Sequence, residues 1–561
     1  MKNKNLKHLL VLTMSLSMVA GLAACGNTDT PSANVEETQQ TVVESTSTST
    51  QESETPVEPE EITYPLDTDV TLSVWTNRLA LNSEYSDYTE SPFHTGLAEH
   101  TGVDLEFQFP AKGLSAKEAY NLLLTEDVLP DIIFRNFSNG TAELEQLYND
   151  GVIYDLTEYL PVYAPDYWAV LTSEEYEDVY KCLASDEGRI YGFAAIYEGD
   201  YNKTYRGPII RQDWLDECGL EAPVTIEDWE NVLTTFKDKY GAALALTSDR
   251  LLHDWDGLNA GVGAYSGGVA NWYLDDNNEI QFAQLQPEWV EYMKVLNRWY
   301  KNGLIDPDSI TMDANALRTK AVNNQVGATI VPMSQMTNIV TDAENTGNGA
   351  DWVGVSYART AAGEPTCAIN TSSTNWISKT TGVVTTSCPE EELITALQFL
   401  NYGYTEEGHM YYNFGEEGET YTLNAAGEPE WTDLITGDAQ GLNCVTKYTG
   451  ATSSPIAVQA SRFVQMKNNE AAAEAVYTWI DNTEVGKHVV PELALTEEEN
   501  LTYSDYFAAI QTYVQETTQK FITGELSVDD YIDDFYAQLE NMGIKECQAI
   551  RQAAYERYLA K

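Results

Sequence analysis

Three short apolar stretches recur about thirty residues apart once the chain begins to look foldable. In Val70, Leu72 and Val74, and again in Val103, Leu105, Phe107 and Phe109, apolar side chains alternate with polar ones, the period of a strand. Asp131-Ile132-Ile133-Phe134 after Pro130 is a short apolar run. Helix-compatible sequence fills the intervals. This is the spacing of βαβ units, and it predicts a parallel sheet with right-handed crossovers. A second set, Pro208-Ile209-Ile210, Ala242 to Thr247 and Val326 to Val331, predicts a second α/β lobe. Two facing lobes leave a cleft beyond the carboxyl ends of their strands, where open α/β sheets take ligands.

The length of 561 residues allows for two or three globular units. The first 25 residues carry a different signal. Lys2, Lys4 and Lys7 precede an apolar stretch from Leu9 to Leu22 that is too short to span a bilayer, and Leu22-Ala23-Ala24-Cys25 follows. This resembles a bacterial lipoprotein signal, in which the cysteine is acylated and becomes the first residue after cleavage. An ordinary signal peptide with a stray cysteine is the other reading. Between Gly26 and Ile62 there is no aromatic residue, Lys or Arg, and Ser45 to Thr50 alternates Ser and Thr. Such a segment cannot bury enough apolar surface to order itself, so it reads as a tether. A chain anchored this way works outside the cell.

The 88 acidic residues against 31 basic ones give a net charge of −57. That excludes a nucleic-acid partner, whose phosphates need a basic surface. It also argues against an anionic cargo, unless Arg78, Arg135 or Arg211 makes a local exception.

Leu129-Pro130-Asp131-Ile132-Ile133, Asp150-Gly151 leading into Asp155-Leu156, and Asp186-Glu187-Gly188-Arg189-Ile190-Tyr191-Gly192-Phe193 resemble the first lobe of family 1 extracellular solute-binding proteins. Ile210 to Leu215 with Gly219, Pro223, Thr225 and Trp229, and then Tyr300 to Asp306, resemble the second lobe. Phe521 to Gly524 and Gln552 to Tyr558 are similar to the tail of larger Gram-positive members. The resemblance spans residues 66–561. It implies a bilobal periplasmic-binding-protein-like α/β fold whose lobes are joined by a hinge and close on a carbohydrate, commonly an oligosaccharide, for delivery to the permease subunits of an ABC importer. It implies no enzyme activity. The expected division is residues 1–24 as signal and 25–62 as tether. The first lobe takes 63–195 with about 358–430, the second 196–357 with about 431–500, and 501–561 form C-terminal helices. Lobe crossings are expected near Ala194 to Tyr197 and Val353 to Ala358, with a third after Gly415 that the sequence does not place.

A sugar presents apolar C–H faces and a rim of hydroxyls, so its site needs exposed aromatic rings beside planar polar groups. Most of the 12 Trp and 35 Tyr must be structural. Trp289, Tyr292, Met293, Leu296, Trp299 and Tyr300 form one helical stripe ended by Gly303 and are expected in the core. Thr225 with Asp228 reads as a capping box that accounts for Trp229. Residues just past strand ends are the better candidates. They are Trp75, Asn77 and Arg78 after the first strand, Arg135 and Asn136 after the third, and Trp255 between Asp254 and Asp256, with Tyr265 and Trp272 in and after a glycine-rich loop. Tyr197 at the first crossing, Arg211, Gln335, and Asn375 with Trp376 at the return to the first lobe complete the set. Arg211 and Arg135 serve equally well as structural ion-pair partners.

No catalytic, metal or nucleotide motif is present. Gly261-Val262-Gly263 has its next glycine one residue too late for a dinucleotide loop, and H-E-x-x-H and G-x-S-x-G are absent. Asp275 to Glu279 reads as a hairpin turn rather than a calcium loop. No cofactor and no metal are expected. Cys182, Cys218, Cys367, Cys388, Cys444 and Cys547 permit disulfides without choosing a pairing. The alternatives are the same fold binding a peptide or other polar solute, and a surface glycoside hydrolase using paired carboxylates. The protein is expected to be a monomer.

Overall fold

The computed structural model describes residues 62–76, 85, 87–137, 140–204, 206–252, 257–265, 271–361, 380–438, 444–450, 457–460, 469–481 and 483–561. Along these residues the strands are β1 (Thr71–Thr76), β2 (Asp104–Gln108), β3 (Ile132–Phe134), β4 (Phe193–Tyr197), β5 (Arg206–Arg211), β6 (Trp272–Leu274), β7 (Ile280–Phe282), β8 (Ala328–Pro332), β9 (Trp352–Gly354), β10 (Thr380–Val384), β11 (Tyr421–Leu423), β12 (Pro429–Trp431) and β13 (Ala457–Gln459). Six of them make one sheet in the order β13-β4-β10-β3-β1-β2. The alternating stretches of the sequence form its β1–β2 pair, parallel with Leu72 opposite Leu105, and β3 joins them with Ile132 opposite Val74. β10 is antiparallel to both β3 and β4, so every other strand of this sheet points the same way.

The second sheet, β8-β5-β9, departs from the parallel expectation. Its central strand β5 is antiparallel to both neighbours, because it enters from the first lobe and runs away from it. The expected strand Ala242 to Thr247 is present only as parallel bridges from Leu244 to Ala328 and to Ile305. Helix Glu470–Ile480 closes this lobe. The indole Nε1 of Trp479 donates to Pro208 O at 3.0 Å, and a Cβ on Gly207 would stand 2.6 Å from that ring. A Cβ on Gly354 would overlap Ala475, so two glycines in facing strands let the helix lie directly on the sheet.

Three segments carry the chain between sheets. They are residues 198–204 and 205 from β4 to β5, the stretch 355–379 from β9 to β10, and 460–469 from β13 to helix Glu470–Ile480. The last is the crossing that the sequence left unplaced, and it falls later than the boundary expected near residue 430, because the three residues of β13 pair with β4.

The stripe residues Trp289, Tyr292, Met293, Leu296 and Trp299 are buried as expected in helix Pro287–Lys301. They receive the C-terminal helices Glu497–Thr523 and Val528–Asn541, on which the last helix, Ile544–Ala560, packs in turn. Trp289 stacks on Phe535 at 5.5 Å between centroids, and Asn297 Nδ2 donates to Phe521 O at 2.7 Å. The last helix spans two bodies. It holds hairpin β6–β7 through Gln548 Nε2 to Ile280 O at 2.7 Å. It also reaches helix Glu177–Leu183, which precedes β4, through Tyr558 OH to Asp178 at 2.7 Å, and the turn after that helix through Arg557 to Asp186 at 2.9 Å. Asp275 turns the hairpin by accepting from the backbone of Asn277 and Glu279, each at 2.9 Å. No described helix is long and apolar enough to cross a membrane.

Candidate functional site

Because β1 to β4 and β13 run in one direction, their carboxyl ends form a single edge carrying Thr76, Phe134, Tyr197 and Gln459. β10 starts at that edge. In the second sheet β5 starts at Arg206, opposite the last residue of β8, Pro332. The first crossing connects Tyr197 to Arg206 through residues 198–205, a link that spans at most about 3.5 Å per residue, so these two strand ends lie within about 30 Å of each other. This is the geometry of an interlobe cleft.

Tyr197 and Gln335 stand at these edges, both half-buried. Tyr197 ends β4 opposite Gln459, and Gln335 lies in the first turn of helix Met333–Thr346, directly after β8. Asn136 is exposed just beyond β3. Tyr265 is half-buried. Its backbone is clamped by the Gln286 amide at 3.0 and 2.7 Å, and its ring lies 4.3 Å from the His488 ring.

Four candidates turn out to be structural. Trp75 is 4% exposed and packs with Tyr120, Ile133, Phe137 and Val383, because its side chain points to the helix-covered face of β1 rather than past its end. Trp272 is 2% exposed, stacked 5.7 Å from Phe507, with its Nε1 donating to Tyr503 at 2.9 Å. Packing against Phe507 and Phe282 and the bond to Tyr503 thus leave the indole little surface for a ligand. Arg135 donates to Glu143 at 2.7 Å and lies 3.7 Å over the Tyr120 ring. Arg211 sits at the far end of β5, away from the crossing. Its guanidinium is held in a fork by Asp213 at 2.8 and 2.6 Å, and Asn324 accepts from it at 2.6 Å. For both arginines the ion-pair alternative is the one realised. Asn77, Arg78, Trp255, Asp256, Asn375, Trp376 and Cys25 lie outside the described residues.

Two further residues stand at the edges without a sequence signal. Gln459 is buried at the end of β13, which had no visible strand signal. Arg359 lies just past β9, where its backbone N–H donates to Val224 O at 2.9 Å, and it is 8% exposed. Among the described residues no group of three or more His, Cys, Asp or Glu side chains is placed to hold a metal ion. Cys182, Cys218, Cys388, Cys444 and Cys547 are free thiols, and Cys367 is outside the described residues. Burial pushes the Cys388 thiol up to about 12 and Cys547 up to about 11, which makes them packing residues rather than nucleophiles.

The two lobes, the crossings between them and the edge-to-edge cleft define a bilobal solute-binding-protein fold. AlgQ2, an alginate-binding protein, has the same fold, with a TM-score of 0.66 at 23% identity, covering 89% of this chain and 100% of that one. The fructooligosaccharide ABC transporter substrate-binding protein FusA of Streptococcus pneumoniae matches at 25% identity over 281 residues, 48% of this chain and 51% of FusA. Lipoprotein LipO of Bacillus subtilis matches at 25% identity over 266 residues, 46% of this chain and 50% of LipO. The chain thus spans about half the length of the curated relatives it matches. No protein-family model matches it.

Proposed function

We propose that this chain is an extracellular solute-binding lipoprotein that captures a carbohydrate, specifically an oligosaccharide, between its lobes and delivers it to an ABC importer. The observation that carries the reading is the single edge of strand carboxyl ends facing a second sheet across three chain crossings, with Tyr197, Gln459 and Gln335 along it. A binding protein needs a cleft whose two walls move relative to each other, and this arrangement supplies one. The relatives' names agree. FusA is named for fructooligosaccharides and AlgQ2 for alginate.

In this reading residues 1–24 are a cleaved signal, Cys25 carries the lipid on the outer face of a Gram-positive cell membrane, and 25–62 is the tether. The first lobe runs from residue 62 to Tyr197 and from 380 to 460. The second holds 206–361 and 469–561. The protein acts as a monomer and catalyses nothing. Asn77, Arg78, Trp255, Asp256, Asn375 and Trp376 remain proposed ligand contacts together with Tyr197, Tyr265, Asn136 and Gln335.

The test is a glycan array followed by thermal shift and product analysis on the same ligands. Retention with a raised unfolding midpoint and no product supports a receptor. Product formation would make it a hydrolase, and stabilisation by peptides alone would change the cargo.

A further inference from the structure

We infer that Arg359 receives an anionic group of the ligand, and that the cleft therefore takes an acidic glycan, one bearing a carboxylate. This rests on the carbohydrate reading above and narrows it. Arg359 belongs to the second crossing. β9 runs antiparallel to β5, toward the edge where β5 begins, and Val355 N continues the pairing with Pro208 O at 3.0 Å. Tyr357 OH then donates to Arg206 O, and Thr225 bridges Arg359 in parallel. The chain next leaves for β10 in the first sheet. Arg359 thus stands on the second lobe's side of the cleft edge. Gly261 lies close against its neighbour Ala358, since a Cβ there would come within 2.9 Å of Ala358 Cβ.

The side chain is more than nine-tenths buried and its Nε is sealed from water without a hydrogen-bond partner. Among the described residues no carboxylate pairs with it. Arg135, Arg211, Arg298, Arg318 and Arg557 differ, each having a carboxylate oxygen at 2.5–2.7 Å. Arg551 also has an Nε without a partner, but it is only half-buried, whereas Arg359 is nearly enclosed. A buried guanidinium keeps its proton, and an anion brought from outside would give its charge a partner. A planar carboxylate matches its fork and gains most when the lobes exclude water. The charge of the whole protein opposes anions, so an anionic ligand needs a local cation such as Arg359.

The experiment uses the full chain in detergent and calorimetry with two probes, a mannuronate tetramer and the neutral trisaccharide kestose. Expected is binding of the tetramer that weakens as salt rises, a loss of about 10- to 100-fold in Arg359→Gln, and an intermediate loss in Arg359→Lys with the salt dependence kept. Without ligand, Arg359→Gln should unfold at the same temperature as the parent or higher, because an uncompensated charge has been removed. Unchanged tetramer affinity in Arg359→Gln overturns the inference. So does a midpoint lowered by several degrees, or failure of both variants to fold, since either makes the arginine structural. Binding of kestose alone overturns this inference and leaves the carbohydrate receptor standing. A glycan array that retains nothing overturns both.

Discussion

The contact between Trp479 and Gly207 offers a sharp test of how the second lobe is assembled. Gly207→Ala places a methyl group 2.6 Å from three atoms of the indole, about 1 Å closer than ordinary contact. Overpacking of this kind costs about 1–3 kcal/mol, and up to about 1 kcal/mol returns because the unfolded chain loses freedom when glycine is replaced. The net loss should be about 0.5–2.5 kcal/mol. Trp479→Leu removes the ring from a fully buried position and takes away the donor to Pro208 O. That carbonyl keeps Val355 N–H, so it is not orphaned. The loss should be about 2–4 kcal/mol from reduced burial, a partial cavity and one hydrogen bond. In the double variant the methyl group meets no indole. Its cost should disappear, leaving the pair less destabilised than the sum of the single changes by about 1–2 kcal/mol. Urea unfolding of the four proteins followed by circular dichroism measures this coupling. Additivity within about 0.5 kcal/mol would refute the packing argument, because independent sites add.

His100 bridges Glu407 and Glu416, each at 2.9 Å, and joins helix Pro92–Thr101 to helix Glu406–Phe414. Burial pulls its imidazolium down, but the hydrogen bonds and charges of Glu416 and Glu407 together outweigh it and raise the group above 6.5. The raised value means that the added stability is complete below about pH 6.5 and fades as pH rises through the folded value. Stability measured from pH 5.5 to 8.5 should fall relative to His100→Gln by about 0.5 kcal/mol, given how exposed the two glutamates are; parallel profiles would contradict this. Thiol labelling at pH 8 in a Cys25→Ser, Cys367→Ser background should modify the half-exposed Cys218 in the native state and the four buried cysteines only on unfolding. Rapid native labelling of Cys388 or Cys182 would show their burial to be wrong.

Much of the scaffold could be read from periodicity. β1 and β2 alternate at period two, the stripe from Trp289 to Trp299 repeats at helical spacing, and the Thr225–Asp228 capping box closes through the Asp228 amide and the Thr225 backbone at 3.2 and 2.9 Å. β13 was invisible for a physical reason. Ala-Val-Gln has no pattern of its own, and only β4 makes it a strand. The site was less legible. Sequence placed Arg211 and Trp272 beside strands, but not which end or face they occupy, and that is decided by the direction of β5 and by the C-terminal helices. Arg359 carries no sequence signal, because what sets it apart, a buried Nε without a partner, is a property of the folded surroundings that no spacing of residues records.

The helix Ile544–Ala560 makes the joint between the lobes something other than a loose swivel. The three backbone crossings leave from one edge, and this helix adds a fourth attachment through side chains alone, from Ile280 of the hairpin to Asp178 and Asp186 beside the first sheet. A plate fixed at two separated points turns like a door and cannot twist like a ball in a socket. In the proposed receptor the attachments at Asp186 and Asp178 would restrict the axis about which the cleft opens, and because one of them is an ion pair, the stiffness of that door would depend in part on the salt of the surrounding medium.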